Sequence, residues 1–360
     1  MKREEGTKIM KALRASAIVA SIALLGTSQA ALAHAPSETP PASKFDLSEW
    51  KITLPDDKDG NNKPDEVTVS DIQKYHHPNF FYLDADGRMV FTAPNKAITT
   101  ANSSNTRSEL RHMLRGSNTR IGTHDAKNNF AVKARKGSNK FGRVGGKLEA
   151  TLRVDHVAKN AGDPDARAAY SVVVGQIHGV KAKSTLSGFG YGNEPIKIYF
   201  KQFPGHSSGY VFWNYERNLA KDDPNRTDLS VPVWGGNWDA KEDPGENGLK
   251  LGEEFKYEIN VYENTMYVTF YNERLGLVQH SRSLVRGADA KDNPLSYGGD
   301  TLYFKAGAYN QCSTQKGGGN WYGGCAGTGD WEVDKANGDY AQVSFSRLVV
   351  GESSPPPVSE

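Results

Sequence analysis

The stretch Thr301-Leu302-Tyr303-Phe304-Lys305-Ala306-Gly307-Ala308-Tyr309-Asn310-Gln311 separates into two unlike faces when read with a period of two. Leu302, Phe304, Ala306 and Ala308 fall on one side, and Tyr303, Lys305, Gly307, Tyr309 and Gln311 on the other. Alternate side chains of a strand point to opposite faces, so the first set packs into a core. The second set places an ammonium between two phenols with an amide beyond, a face suited to a polar ligand such as a sugar chain.

Strands of this kind recur from residue 80 onward. The pattern predicts them over 89–92, 108–114, 146–154, 170–178, 196–203, 210–216, 255–262, 266–271, 301–309 and 341–350, after a short one ended by Pro55. Turn signals such as Asp86-Gly87 and Pro204-Gly205 punctuate the series. The helical candidates are short, Ser70 to Tyr75 for example. Many strands without alternating helices predict an all-β, antiparallel jelly-roll sandwich. Two connections, 179–195 and 219–250, are long enough to be binding loops, and Gly188-Phe189-Gly190-Tyr191-Gly192 reads as a mobile lid or an ordinary surface excursion.

The N-terminus carries Lys2, Arg3, Lys8, Lys11 and Arg14, then the apolar run Ala15 to Leu25 and the small-x-small site Ala31-Leu32-Ala33. That is the pattern of a secretory signal peptide over 1–33, which predicts a secreted or periplasmic protein. Residues 34–43 read as a disordered leader, 44–352 as one domain, and 353–360 as a Pro-rich tail. Loss of 1–33 would remove five basic and two acidic side chains, taking the formal charge from +2 to −1. Bulk charge therefore gives no support for nucleic-acid binding, and any cationic site must be local. In an exported chain whose only cysteines are Cys312 and Cys325, a disulfide between them is expected. The loop Asp56 to Asn62 loosely resembles a calcium loop but lacks the closing Glu, so no metal site is assigned.

Two further strands share the polar character of the first. In Thr106-Arg107-Ser108-Glu109-Leu110-Arg111, the residues Arg107, Glu109 and Arg111 share a face, two guanidiniums flanking a carboxylate. In Ser171-Val172-Val173-Val174-Gly175-Gln176-Ile177-His178, Gln176 and His178 emerge on one side of a valine-rich strand. This inventory suits β-elimination beside a carboxylate in a uronate polymer. Removing the C5 proton loads negative charge onto that carboxylate, which guanidinium and amide donors stabilise. A neutral imidazole or a phenolate takes the proton, and a phenol protonates the departing O4.

Arg107 to Arg111, Gln176-Ile177-His178 and Tyr303 to Gln311 resemble, in order, the three signature segments of the alginate lyases of polysaccharide lyase family 7. The resemblance covers most of residues 45–351. It implies a jelly roll with an open groove and endo-acting cleavage of alginate by a monomer, without cofactor or membrane partner. Carried over, Arg107 and Gln176 neutralise the carboxylate, His178 is the base for guluronate units, and Tyr309 is the acid and also the base for mannuronate units. Glu109, Arg111, Lys305 and Gln311 join the substrate-binding set, and Tyr303 has no role assigned. Ile177 within the Gln-x-His triplet points to guluronate-containing blocks, and Ala308 stands where the family often has valine. Two other readings compete: a non-catalytic polyuronate-binding jelly roll, and a glycoside hydrolase using Glu332 and Asp334, which lie in a segment that reads as loop.

Overall fold

The computed structural model describes residues 37–356 except 184, 186, 187 and 286–288. The predicted signal peptide lies outside the described residues. The chain forms β1 (Trp50–Thr53), β2 (Glu66–Val67), β3 (Phe81–Leu83), β4 (Met89–Pro94), β5 (Arg107–His112), β6 (Phe130–Ala131), β7 (Arg143–Val144), β8 (Gly146–His156), β9 (Ser171–Gly179) and β10 (Ile196–Lys201). It continues through β11 (Tyr210–Glu216), β12 (Asp228–Trp234), β13 (Phe255–Tyr262), β14 (Thr265–Asn272), β15 (Gly276–Ser283) and β16 (Leu302–Asn310). The short β17 (Lys316–Gly317) and β18 (Tyr322–Gly323) precede the helix α1 (Trp331–Asn337) and the last strand, β19 (Tyr340–Gly351).

The strands make two large sheets. One runs β12-β11-β10-β9-β16-β5-β1-β2 with β6 and β7 beside it, and the other runs β15-β14-β13-β8-β19-β4-β3. Leu110, Ile177, Ile198, Phe304 and Ala306 of the first face Phe81, Phe91, Ile259, Phe270 and Phe345 of the second in one continuous core. The predicted all-β jelly roll is what forms. Core contact is close enough to dictate glycine at one position: a Cβ on Gly175 would stand 2.3 Å from the hydroxyl oxygen of Tyr257, which donates to the Val174 carbonyl at 3.1 Å.

The first sheet is buried on much of its other face as well. Val173, Tyr199, Tyr210, Phe212 and Trp238 form a second apolar cluster there. Strict alternation does not survive in β9. Its register slips against both β10 and β16, and Val174 and Gly175 both turn toward the core. This bulge lets Val173 and Gln176, three residues apart, share the outer face.

Several expectations need correction. The leader is not disordered over its described part: Ser37 N donates to Leu83 O at 3.1 Å, and Pro41, in a 3₁₀ turn over Pro41–Ser43, is buried. The tail begins tied down, since Ser354 exchanges two hydrogen bonds with Asn260. The connection 219–250 contains β12, an edge strand whose Pro232 argues against a central strand but is tolerated where one side of the ladder is unpaired. Ser70 to Tyr75 gives only a 3₁₀ turn, Ile72–Lys74. Glu332 and Asp334 lie on α1, not in a loop; Asp330 caps its N-terminus by accepting from Glu332 N and Val333 N, and Gly338 closes it with φ of 76°.

Candidate active site

The outer face of the first sheet carries a groove of about 1010 Å³. Lys51 from β1, Arg107 and Arg111 from β5, Tyr303, Lys305 and Tyr309 from β16, and His178 from β9 line it, with Lys181, Lys221 and Arg226 from the loops. Its lining is thus rich in cations, and its carboxylates, Glu66 and Glu194, are each ion-paired. The regular β5–β16 register sets Arg111 opposite Lys305, Glu109 opposite Gly307, and Arg107 opposite Tyr309. β9 sets Gln176 opposite Lys305 and His178 opposite Tyr303. Seven of the eight residues expected on this face therefore meet through backbone pairing alone: Arg107, Glu109, Arg111, Gln176, His178, Lys305 and Tyr309.

Glu109 is the node beneath them. It is 2 % exposed and accepts from Arg107 Nη1 at 3.0 Å, from Lys305 Nζ and from Gln176 Nε2. Burial opposes its ionisation, but Lys305 and Arg107 outweigh that and hold the carboxyl below the usual range. Lys305 responds differently: burial, with repulsion from Arg107, outweighs Glu109 and brings its ammonium down to about 8. The difference follows from the count of partners, since Glu109 has two cations and an amide while Lys305 has one anion and a like charge nearby. Glu109, expected in the substrate-binding set, is thus occupied in holding two cations and an amide.

The orientation of Gln176 is set by Glu109, because a carboxylate only accepts and so takes Nε2. Gln176 Oε1 and Arg107 Nε are both buried without a protein partner. An orphan buried donor and an orphan buried acceptor, on two side chains that share Glu109, are each costly unless a ligand completes them. Tyr309 lies across from Arg107, whose guanidinium covers its ring at 4.0 Å. The Tyr309 hydroxyl meets Ser103 Oγ at 3.0 Å. Ser103 Oγ in turn donates to Asn105 O, at 3.2 Å, so the phenol is the donor in the first bond. Ser103 was not legible as a site residue; its loop carries no strand pattern.

Tyr303 turns out to be a support. Its ring is stacked between the Arg111 guanidinium at 4.0 Å and the His178 imidazole at 5.3 Å and 12°. Arg111, expected to bind a neighbouring carboxylate, has both terminal nitrogens taken: Nη1 by His112 O and Met113 Sδ, Nη2 by Thr123 O and Asn129 Oδ1. Gln311 is not brought to the groove. The strand ends at Asn310, and Gln311, 3 % exposed, donates Nε2 to the carbonyl of Tyr309 two residues back. Gly307, with φ of 141°, departs from the expected face too; a Cβ there would strike Ser108 O at 2.5 Å.

His178 also differs from expectation. Nδ1 contacts Gly179 O at 2.6 Å and Nε2 contacts Glu194 Oε1 at 3.0 Å, so neither nitrogen is free as a base. Glu194 was missed because it follows the glycine-rich loop with no pattern around it. That loop is held rather than loose: Gly190 N donates to Asp300 Oδ1 at 2.7 Å, and Asn218 and Asn293 donate to Gly188 O. The predicted disulfide Cys312–Cys325 is present, with Cα atoms 5.5 Å apart, and anchors the loop that brings Gln315 and Tyr322 to the groove. Asp334 is no catalytic partner of Glu332; its carboxylate is buried and caps Thr328 N and Gly329 N. Asp57, Asp59 and Asp65 do cluster within 4.8 Å, but Asp57 and Asp59 are engaged by the loop's own Asn61 and Asn62.

A jelly roll with these groups around one point is that of a polysaccharide lyase. The sequence model of the alginate lyase family matches residues 45–352. An alginate lyase of Klebsiella pneumoniae is 33 % identical over 311 residues, covering 84 % of this chain and 93 % of that protein. The crystal structure of the alginate lyase from Klebsiella pneumoniae superposes with a TM-score of 0.70 at 30 % identity, covering 88 % of this chain and 99 % of that one. The exolytic alginate lyase of Zobellia galactanivorans, also of polysaccharide lyase family 7, gives 0.70 at 34 %, with the same coverage. The chain belongs to the alginate lyases of polysaccharide lyase family 7.

Proposed function

We propose that this protein depolymerises alginate by β-elimination, leaving an unsaturated uronate at each new non-reducing end. The observation that carries the reading is that one carboxylate, Glu109, holds both the Arg107 guanidinium and the Gln176 amide, with Arg107 Nε and Gln176 Oε1 left unpartnered and Arg107 lying over the Tyr309 ring. Arg107 Nε and the second Nε2 hydrogen of Gln176 donate to the substrate carboxylate, while Gln176 Oε1 accepts from a sugar hydroxyl. Charge that develops on the carboxylate as C5 loses its proton is met by donors already in place. Lys305 adds a positive charge below about pH 8. Tyr309 gives its proton to O4, and on mannuronate units, where the C5 proton lies on the leaving-group side, it also takes the C5 proton. On guluronate units His178 is the base, once Nε2 is released from Glu194.

We further propose endo cleavage. The groove is lined from Lys51 on β1 to Lys221 beyond β11, five strand spacings away in the sheet, or roughly 24 Å at about 4.8 Å per spacing. That length suits an internal stretch of chain. The disulfide and the basic-apolar sequence of 1–33 support export to an oxidising compartment.

Ultraviolet absorbance tests the reaction, because elimination creates a conjugated unsaturated uronate. Absorbance growth on alginate is expected. Binding without growth would leave only a polyuronate-binding protein, and saturated new ends would mean hydrolysis. Viscosity followed in the same assay tests the mode: endo cleavage collapses viscosity early, whereas exo cleavage releases small products first.

A further inference from the structure

His178 sits between two acceptors. A backbone carbonyl only accepts, so Nδ1 facing Gly179 O carries a hydrogen; a carboxylate only accepts, so Nε2 facing Glu194 Oε1 carries one too. Glu194 is the anion of that pair: burial opposes it, but Lys197 and His178 hold its carboxyl well below the usual range. Behind it, Lys197 Nζ contacts Glu194 Oε2 at 3.3 Å, Asp228 at 3.0 Å and Glu216 at 3.8 Å, and Arg226 pairs with Glu216. Around His178 itself stand Tyr303, stacked on the ring, and His124 at longer range. A ring nitrogen that carries hydrogen has no lone pair with which to take a proton from C5.

We propose that Glu194 is a positioning residue that gates His178: it retains Nε2 with its proton, and His178 becomes a base only when that proton passes to Glu194. This rests on the reading of His178 as the guluronate base. In the released state the Nε2 lone pair takes the C5 proton, the C5–H electron pair forms the C4=C5 double bond, the C4–O4 bond breaks, and O4 takes the Tyr309 proton. The proton first passed to Glu194 and the one now on Nε2 restore the starting pair and leave one proton for solvent, which replaces the one Tyr309 lost. Because the gate acts on His178 and not on Tyr309, it weighs guluronate against mannuronate turnover.

Glu194→Gln tests this, since Lys197 retains Asp228 and Glu216 and the cluster stays paired. The expected result is a severalfold rise in the ratio of guluronate-block to mannuronate-block rates. The acid limb of the guluronate profile should move to lower pH. Adding His178→Asn should abolish both changes. An unchanged ratio and limb, or equal loss on both blocks, overturns the proposal. Nitrogen NMR of wild-type protein gives an answer independent of turnover and of the variant's folding. Nε2 of His178 should carry its hydrogen toward Glu194, and a bare Nε2 overturns the gate. If wild-type protein shows no absorbance growth on any uronate polymer, it is the lyase reading that fails, while the NMR result still decides the Glu194–His178 pair.

Discussion

Glu109→Gln changes one charge and almost no volume, yet it removes the only anion placed between Arg107 and Lys305. In the wild type that carboxylate accepts from Arg107, Lys305 and Gln176 and is 2 % exposed. Removing one member of a buried ion pair costs roughly 3–5 kcal/mol, because the remaining charges stay buried and uncompensated. At about 2 °C per kcal/mol for a domain of this size, the melting temperature should fall by about 6–10 °C. The loss has a pH dependence that a packing defect lacks. Lys305, already brought down to about 8 by burial and by Arg107, loses the ion-pair partner that chiefly supports its charge, with the more distant Glu194 left to help. At pH 6 the variant must either bury an unpaired ammonium or discharge it at a cost. Above about pH 8 the wild-type lysine is itself largely neutral, so the deficit should shrink. Scanning calorimetry from pH 6 to 9 reads this directly. A deficit below about 2 °C, or one that does not vary with pH, would refute the placement of Glu109 as the charge node. Glu109→Gln with Lys305→Met should regain part of the stability and none of the activity, since one of the two cations left unpaired is then gone, while Arg107 remains.

Tyr309→Phe should keep the melting temperature and alginate binding while lowering turnover by about 10²–10⁴, the range for loss of a positioned proton donor; a loss confined to KM would contradict the assignment. Lys305 predicts opposite trends for activity and stability. Its folded value, about 8, lies below its ordinary 10.5, so its charge burdens folding below pH 8 and that burden lifts as pH rises from 8 toward 10.5. The charge offered to substrate is lost over the same rise, so activity should fall above about pH 8, and Lys305→Arg should flatten that limb because a guanidinium stays charged. Replacing both Cys312 and Cys325 by Ser should cost roughly 3 kcal/mol, the value for a loop of this size. Thermal melting checks that loss, and kinetics should show weaker binding of short substrates as the Gln315 and Tyr322 loop loosens.

Alternation along single strands was enough to place Tyr303, Lys305 and Tyr309 on one face of β16, Arg107, Glu109 and Arg111 on one face of β5, and Gln176 and His178 together on β9. The reason is local, since a strand's own geometry decides which side chains share a side. The run of such strands without helices between them was enough for a sandwich, and two cysteines behind a sequence that reads as a signal peptide were enough for the disulfide. What each side chain does on that face was decided by neighbours distant in sequence. Glu109 became a node because β16 and β9 deliver Lys305 and Gln176 to it. Arg111 was spent on Thr123 and Asn129, and Tyr303 became the spacer between Arg111 and His178. Gln311 left the face because the strand ends one residue earlier, and Gly307 because of its backbone angle. Ser103 and Glu194 carry no signal in their own segments and become meaningful only where loops return beside Tyr309 and His178. The sequence alone could name most of the groups that gather on this face. Which of them are free to act, and which are already held by another residue, depended on hydrogen bonds between segments up to 206 residues apart, as for Ser103 and Tyr309.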